Sequence, residues 1–178
     1  GPIPIRVKLT IQHDPPKLIF DVTESGPPTN SAMNATKSSS HGAIVAASKH
    51  TFPWIPLNHG WLRVIHSIYP KESVLNAPRP YAVCGEVAGS YDKLVHATLI
   101  AWAQVKPQQA LASGFNLEYF MAGGYDDRPG MDNKYFIYYC YATGGLGALY
   151  GQDGRSACAP VFGLGVTNQS IEQKERMW

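Results

Sequence analysis

Charge is scarce in this 178-residue chain, where Asp, Glu, Lys and Arg together make up 16%, against about 25% in ordinary soluble domains. The formal net charge is only +2, and the basic residues are scattered. No basic stripe therefore exists to follow a phosphate backbone, and nucleic acid is not an expected partner. Long hydrophobic runs are also missing. No apolar stretch approaches the roughly 20 residues that cross a bilayer, and the first residues lack the charged-then-apolar order of a secretory signal. No membrane contact is expected, and the expected compartment is the cytoplasm. Cysteine is sparse: Cys84, Cys140 and Cys158 include no pair at the short spacing of a metal knuckle or redox dithiol, so they read as buried thiols in a reducing compartment. Asn34-Ala35-Thr36 and Asn168-Gln169-Ser170 match the glycosylation pattern, but without secretion they read as chance matches. Aromatic residues, in contrast, reach 11%. Low charge with many aromatics predicts that much of the surface is covered by other polypeptide.

Ile3, Ile5, Val7, Leu9 and Ile11 alternate with polar or proline positions, the period of a strand with one buried face. His13-Asp14-Pro15-Pro16 is turn chemistry, and residues 17–22 read as the returning strand of a hairpin. A chain that opens on a strand predicts a portion of a larger subunit. After a Gly/Pro loop at 25–34, the Ala- and Ser-rich stretch 32–49 predicts a helix, the pair His59-Gly60 a turn, and 61–69 a strand. A proline-rich link, 70–80, follows. Ser90 is the expected N-cap of a helix ending before Pro107, because Tyr91, Leu94, Val95, Thr98, Leu99, Trp102 and Val105 share a face. Residues 134–141 read as an aromatic strand with both faces covered, flanked by tight loops at Gly123-Gly124 and Gly144–Gly154. The expected fold is mixed α and β (α+β), with antiparallel hairpins and aromatic strands packed with two helices, residues 1–178 forming a single compact unit.

Chemistry is hard to assemble from these residues. The glycine-rich run 144–151 lacks the Lys-Ser/Thr pair of a phosphate loop and reads instead as close backbone approach in a turn. The histidines His13, His41, His50, His59, His66 and His96 include no pair at helical zinc spacing, so no metal or cofactor is expected to be bound by this segment alone. The run Ser38-Ser39-Ser40-His41 has no visible third partner for a serine hydrolase. His96 reads as a solvent or interface residue on the polar side of its helix. Asp126-Asp127 and Asp153-Gly154-Arg155-Ser156 are turn chemistry. The candidate catalytic residues are Asn58 and His59, held on a turn after Pro53 and Pro56 near a rigid element; a purely structural turn is the competing reading.

Taken in order, Leu18-Ile19-Phe20-Asp21-Val22-Thr23-Glu24-Ser25, Ile55-Pro56-Leu57-Asn58-His59-Gly60, Val74-Leu75-Asn76-Ala77-Pro78 and Asp153-Gly154-Arg155-Ser156 resemble the later part of subunits of the hydantoinase B / acetone carboxylase alpha-subunit family. The segment Gly85–Leu94 departs from the hydantoinase-type Val-Glu-Thr-Ser-Gln-Arg pattern, with Ala88 and Gly89 replacing the Glu-Thr pair, and looks more like the acetone carboxylase branch. The resemblance implies the C-terminal part of an alpha-type subunit in an ATP-dependent ketone carboxylase, joining acetone to bicarbonate-derived carbon dioxide. It further implies ATP and Mg in a partner subunit, manganese ligands in the N-terminal half of the same subunit, and a hetero-oligomer as the assembly. The alternatives are an ATP-dependent cyclic-amide hydrolase of hydantoinase or 5-oxoprolinase type, and a noncatalytic assembly module of such a complex.

Overall fold

The computed structural model describes residues 1–81, 83, 87–114, 118–142 and 145–154. The first hairpin forms as expected, from β1 (Lys8–His13) and β2 (Pro16–Asp21), antiparallel with Leu9 opposite Phe20 and Ile11 opposite Leu18. The strand begins at Lys8 rather than Ile3. The residues before it are engaged elsewhere: the Gly26 amide donates to the Pro4 carbonyl (2.8 Å) and the Arg6 amide to the Ser25 hydroxyl (3.1 Å).

Helix α1 (Lys37–Thr51) starts five residues later than its composition suggested. Thr36 supplies the reason, since its extended backbone and its hydroxyl, which accepts from the Ser39 amide at 3.2 Å, make it the N-cap. Asn34 is fully buried, its side-chain amide donating to the carbonyls of Thr29 and Ser31 and its oxygen accepting from the Thr29 amide. That burial removes it as an acceptor for a glycan; Asn168 lies outside the described residues.

The stretch expected as one strand divides into helix α2 (His59–Val64) and strand β3 (Ile65–Ile68). β3 pairs parallel to β2, giving a three-stranded sheet of order β1-β2-β3. Propensity favoured a strand from Trp61 onward, but a capped helical start overrode it. The proline-rich link is equally structured. Val74 and Leu75 are buried within it, and the Val74 amide, the Val74 carbonyl and the Ala77 amide bond to Gly26, Ala35 and Ala35 in turn.

Helix α3 (Asp92–Val105) buries Leu94, Val95, Thr98, Leu99 and Trp102 as its periodicity predicts, while Val105 is exposed. Ser90 is not its cap. It lies in a wide π-type turn, Val87–Tyr91, broken at Gly89, and Tyr91 is itself in helical conformation. The helix is thus entered from another turn, without the extended residue that capping needs. The core joins α1, α3 and the sheet: Trp102 stacks edge-on against Phe20 and Phe52, and its indole N–H donates to Ser48 Oγ (3.1 Å). Small buried residues on α1, Ser40, Ala43, Ala47 and Ser48, let the two helices approach.

A second, two-stranded sheet comprises β4 (Glu118–Asp126) and β5 (Lys134–Ala142). Gly123 and Gly124 lie inside β4 opposite Ile137 and Phe136, not in a loop. A Cβ on Gly123 would come within a tight 3.2 Å of the Phe136 carbonyl oxygen, whereas one on Gly124 would meet the Phe136 ring at 3.5 Å in ordinary contact. Within this chain the faces of the aromatic strand are not both covered: Tyr135 is 62% and Ile137 61% exposed. The class is mixed α and β, with a third short helix added to the two expected.

Candidate functional site

The segment Phe52–Trp61 is built as a stiff bend on the end of α1. Lys49 Nζ reaches across it, donating to the Pro53 carbonyl (2.7 Å) and to the carbonyl of Ile55. Lys106 Nζ lies 4.8 Å above the Phe52 ring and 4.9 Å above the Trp54 ring, a cation–π arrangement that holds the aromatic pair. The bend delivers Asn58 in extended conformation, where its Oδ1 accepts from the Trp61 amide (3.1 Å) and its backbone carbonyl from the Leu62 amide. Asn58 is thus the N-cap of α2 and His59 its first helical residue, not the middle of a turn. Both are exposed. Asn58 Oδ1 is committed to the cap, while its Nδ2 and the exposed His59 imidazole have no hydrogen-bond partner among the described residues.

A second constellation escaped sequence reading. His41 Nδ1 lies 2.9 Å from Ser67 Oγ of β3, so the partner of this histidine comes from 26 residues away and not from the adjacent serine run. Ser40 instead donates to the Leu75 carbonyl (2.7 Å). The pKa of His41 is lowered, chiefly by burial and then by the charges of Lys37 and His66, which keeps its imidazole neutral near pH 7. Nearby, burial raises the pKa of the Tyr69 hydroxyl. No spacing rule links Ser67 to His41, because only the parallel addition of β3 to β2 brings them together. His41 precedes Lys49 by eight residues on α1, about 12 Å of helical rise, so this pair and the Asn58–His59 bend are separate places.

His96 corrects its expected position. It is almost fully buried, with Nδ1 3.2 Å from Oδ2 of the buried Asp92 one helical turn earlier. The contact lacks hydrogen-bond alignment, and Asp92 Oδ1 has no partner. Lys93 Nζ, 3.4 Å from the same Oδ2, supplies the charge that a buried carboxylate needs. Among the described residues no group of three or more His, Cys, Asp and Glu side chains is placed to hold a metal. The described residues therefore offer manganese no ligand set of their own.

The described part of the glycine-rich run behaves as a close-approach turn. Leu149 bridges to Leu111, the Ala112 amide donates to the Ala148 carbonyl (2.9 Å), and a Cβ on Gly147 would overlap the Ala112 carbonyl. At the hairpin tip Arg128 Nε donates to Asp126 Oδ1 (2.8 Å), and this bond lowers the carboxyl's pKa. Cys84, Cys158, Arg155 and Ser156 lie outside the described residues, as does the side chain of Cys140. No helix among the described residues is long and apolar enough to cross a membrane.

Comparison with known proteins places these elements. The chain is 30% identical over 155 residues to a protein named 5-oxoprolinase PfmaA from Pestalotiopsis fici, covering 86% of this chain and 12% of that protein. It is 28% identical over 153 residues to an uncharacterized protein of Schizosaccharomyces pombe, covering 85% and 11%. Its fold is similar to the ATP-dependent caprolactamase from Pseudomonas jessenii (TM-score 0.72, 21% identity, 97% of this chain and 30% of that one). It is also similar to a nucleotide-free acetone carboxylase (TM-score 0.75, 17% identity, 96% and 23%). The chain thus spans about an eighth of the length of the curated relatives it matches. Residues 1–178 match the family model described as Hydantoinase B/oxoprolinase, and the chain belongs to that family.

Proposed function

We propose that this chain is part of a longer ATP-dependent enzyme that opens a cyclic amide of the 5-oxoproline or lactam type. The observation that carries this reading is the 30% identity, over most of the chain, to a protein named 5-oxoprolinase; the likeness to an ATP-dependent caprolactamase agrees with it. An amide carbonyl is a poor target for water. Phosphorylating its oxygen at the expense of ATP makes the carbon electrophilic, and fixed dipoles around the developing oxyanion lower the barrier further. In this reading the present residues supply scaffold and one wall of the site, with the Asn58 amide and the His59 imidazole facing the cavity. ATP with Mg in a partner subunit, manganese in the earlier half of the subunit, assembly as a hetero-oligomer and a cytoplasmic location belong to the same proposal.

ATP-dependent ketone carboxylation, acetone with bicarbonate giving acetoacetate, is the second reading. The departure of Gly85–Leu94 from the hydantoinase-type pattern and the fold likeness to acetone carboxylase favour it. The deciding experiment measures phosphate release from ATP by the longest natural polypeptide containing these residues, with any co-purifying chains. Stimulation by 5-oxoproline or caprolactam, with appearance of the ring-opened amino acid, supports the first reading. Stimulation only by acetone with bicarbonate replaces it with the second. No stimulation by either leaves the noncatalytic assembly module.

A further inference from the structure

The β4–β5 hairpin presents one continuous apolar face that nothing in the described chain covers. Register places Tyr125 opposite Tyr135 and Gly123 opposite Ile137, with Met121 next along the same face. All four side chains are more than 60% exposed. The two tyrosines meet edge-to-face at 5.5 Å, and the Tyr135 hydroxyl lies against Gly123 between Met121 and Tyr125. The opposite face is more sheltered, with Ala122, Gly124, Asp126 and Tyr138 half-buried and Phe136 44% exposed, so the greater exposure lies on the Met121–Ile137 face. A two-stranded sheet is marginal alone in water, and among the described residues neither strand has a second strand beside it. The hairpin makes no substantial contact with the other described elements.

We propose that this face is a docking surface for the remaining part of a longer polypeptide to which these residues belong, packing in cis on Met121, Tyr125, Tyr135 and Ile137 and extending the sheet at an open edge. The proposal rests on the reading above that the chain is part of a larger enzyme. The cis occupant is favoured over a second copy by length: both structural neighbours match 96–97% of this chain yet are so long that the match covers only 23–30% of theirs. In each, the same fold is embedded in one polypeptide several times its size. The surface also suits such an occupant. Its centre is apolar and aromatic, and the charged residues Asp126, Arg128 and Lys134 are gathered at the hairpin tip beyond Tyr125 and Tyr135.

Thiol labelling in the longest natural polypeptide containing these residues tests this. Met121→Cys and Ile137→Cys are each compared with Lys71→Cys, an exposed loop position, with modification read peptide by peptide so that the native cysteines do not interfere. The expected result is labelling at least tenfold slower at both hairpin positions than at Lys71→Cys, unchanged over a hundredfold range of protein concentration. Equal rates overturn the proposal. Slowing that appears only at high concentration assigns the face to a second copy and overturns it too, as does a gene that encodes nothing beyond these residues. Labelling needs no turnover, so a protected hairpin in an inactive enzyme would sink only the functional reading.

Discussion

Trp102 shows how one side chain ties together elements distant in sequence. It is 2% exposed, contacts Phe20 of the sheet and Phe52 at the end of α1, and has its indole N–H satisfied by Ser48. Trp102→Ala removes that burial, leaves a cavity and orphans the serine hydroxyl. The expected loss is about 3–5 kcal/mol, read from urea unfolding midpoints at unchanged slope. Two histidines set a pH response. Burial lowers the pKa of His41, with Lys37 and His66 adding to the effect, and burial alone lowers that of His50. The folded state therefore binds fewer protons than the unfolded chain between the depressed values and the ordinary value of about 6.5. Stability is complete above that pH and falls as the pH drops through the window. Chemical denaturation between pH 7.5 and 5 should show this decline, and His41→Gln with His50→Gln should flatten it. The buried face of α3 was legible because its period is helical; the burial of His96 was not, since nothing in a one-dimensional pattern reveals that Asp92 below it is also buried.

Among the elements, α2 holds the most informative residue. Asn58 caps it through Oδ1, so Asn58→Ala should cost about 0.5–2 kcal/mol, while Asn58→Asp keeps an acceptor and should restore most of that stability. The two variants separate scaffold from site. If the outward amide donor serves the reaction, Asn58→Asp in the intact enzyme should recover the melting temperature but not kcat; recovery of both would make Asn58 a cap and nothing more. The motif Ile55–Gly60 stood out for its prolines and its Asn-His-Gly, yet its conformation is a capped helix start rather than a turn, because Asn before a β-branched and aromatic run signals a turn and a helix cap equally well. Strand β4 was missed for a related reason. Its paired glycines look like loop punctuation, and only the rings of Tyr135 and Phe136 from across the ladder explain why a strand tolerates them.

For the whole molecule, low charge and high aromatic content pointed to a surface meant to be covered, and the exposed face of β4–β5 is where that surface lies. What the composition did not contain was the identity of the cover. The same incompleteness bears on catalysis. A bond-making centre that consumes ATP needs a phosphate cradle, a cation and a closed pocket, whereas the described residues offer an exposed Asn58–His59 bend, a Ser67–His41 pair and no metal-holding cluster. The 178-residue chain on its own should therefore release no phosphate from ATP above a no-protein control, with 5-oxoproline, caprolactam or acetone and bicarbonate present. Turnover should appear only when the same residues are part of a longer polypeptide, with any chains that co-purify with it. Parallel phosphate-release assays on both forms at equal molar concentration check this, with manganese and magnesium supplied to each so that a missing cation does not mimic a missing segment. Substrate-dependent activity in the short form would mean that a complete site is held within these residues, and the search for it would begin at the His41–Ser67 pair, where a neutral imidazole already touches a hydroxyl.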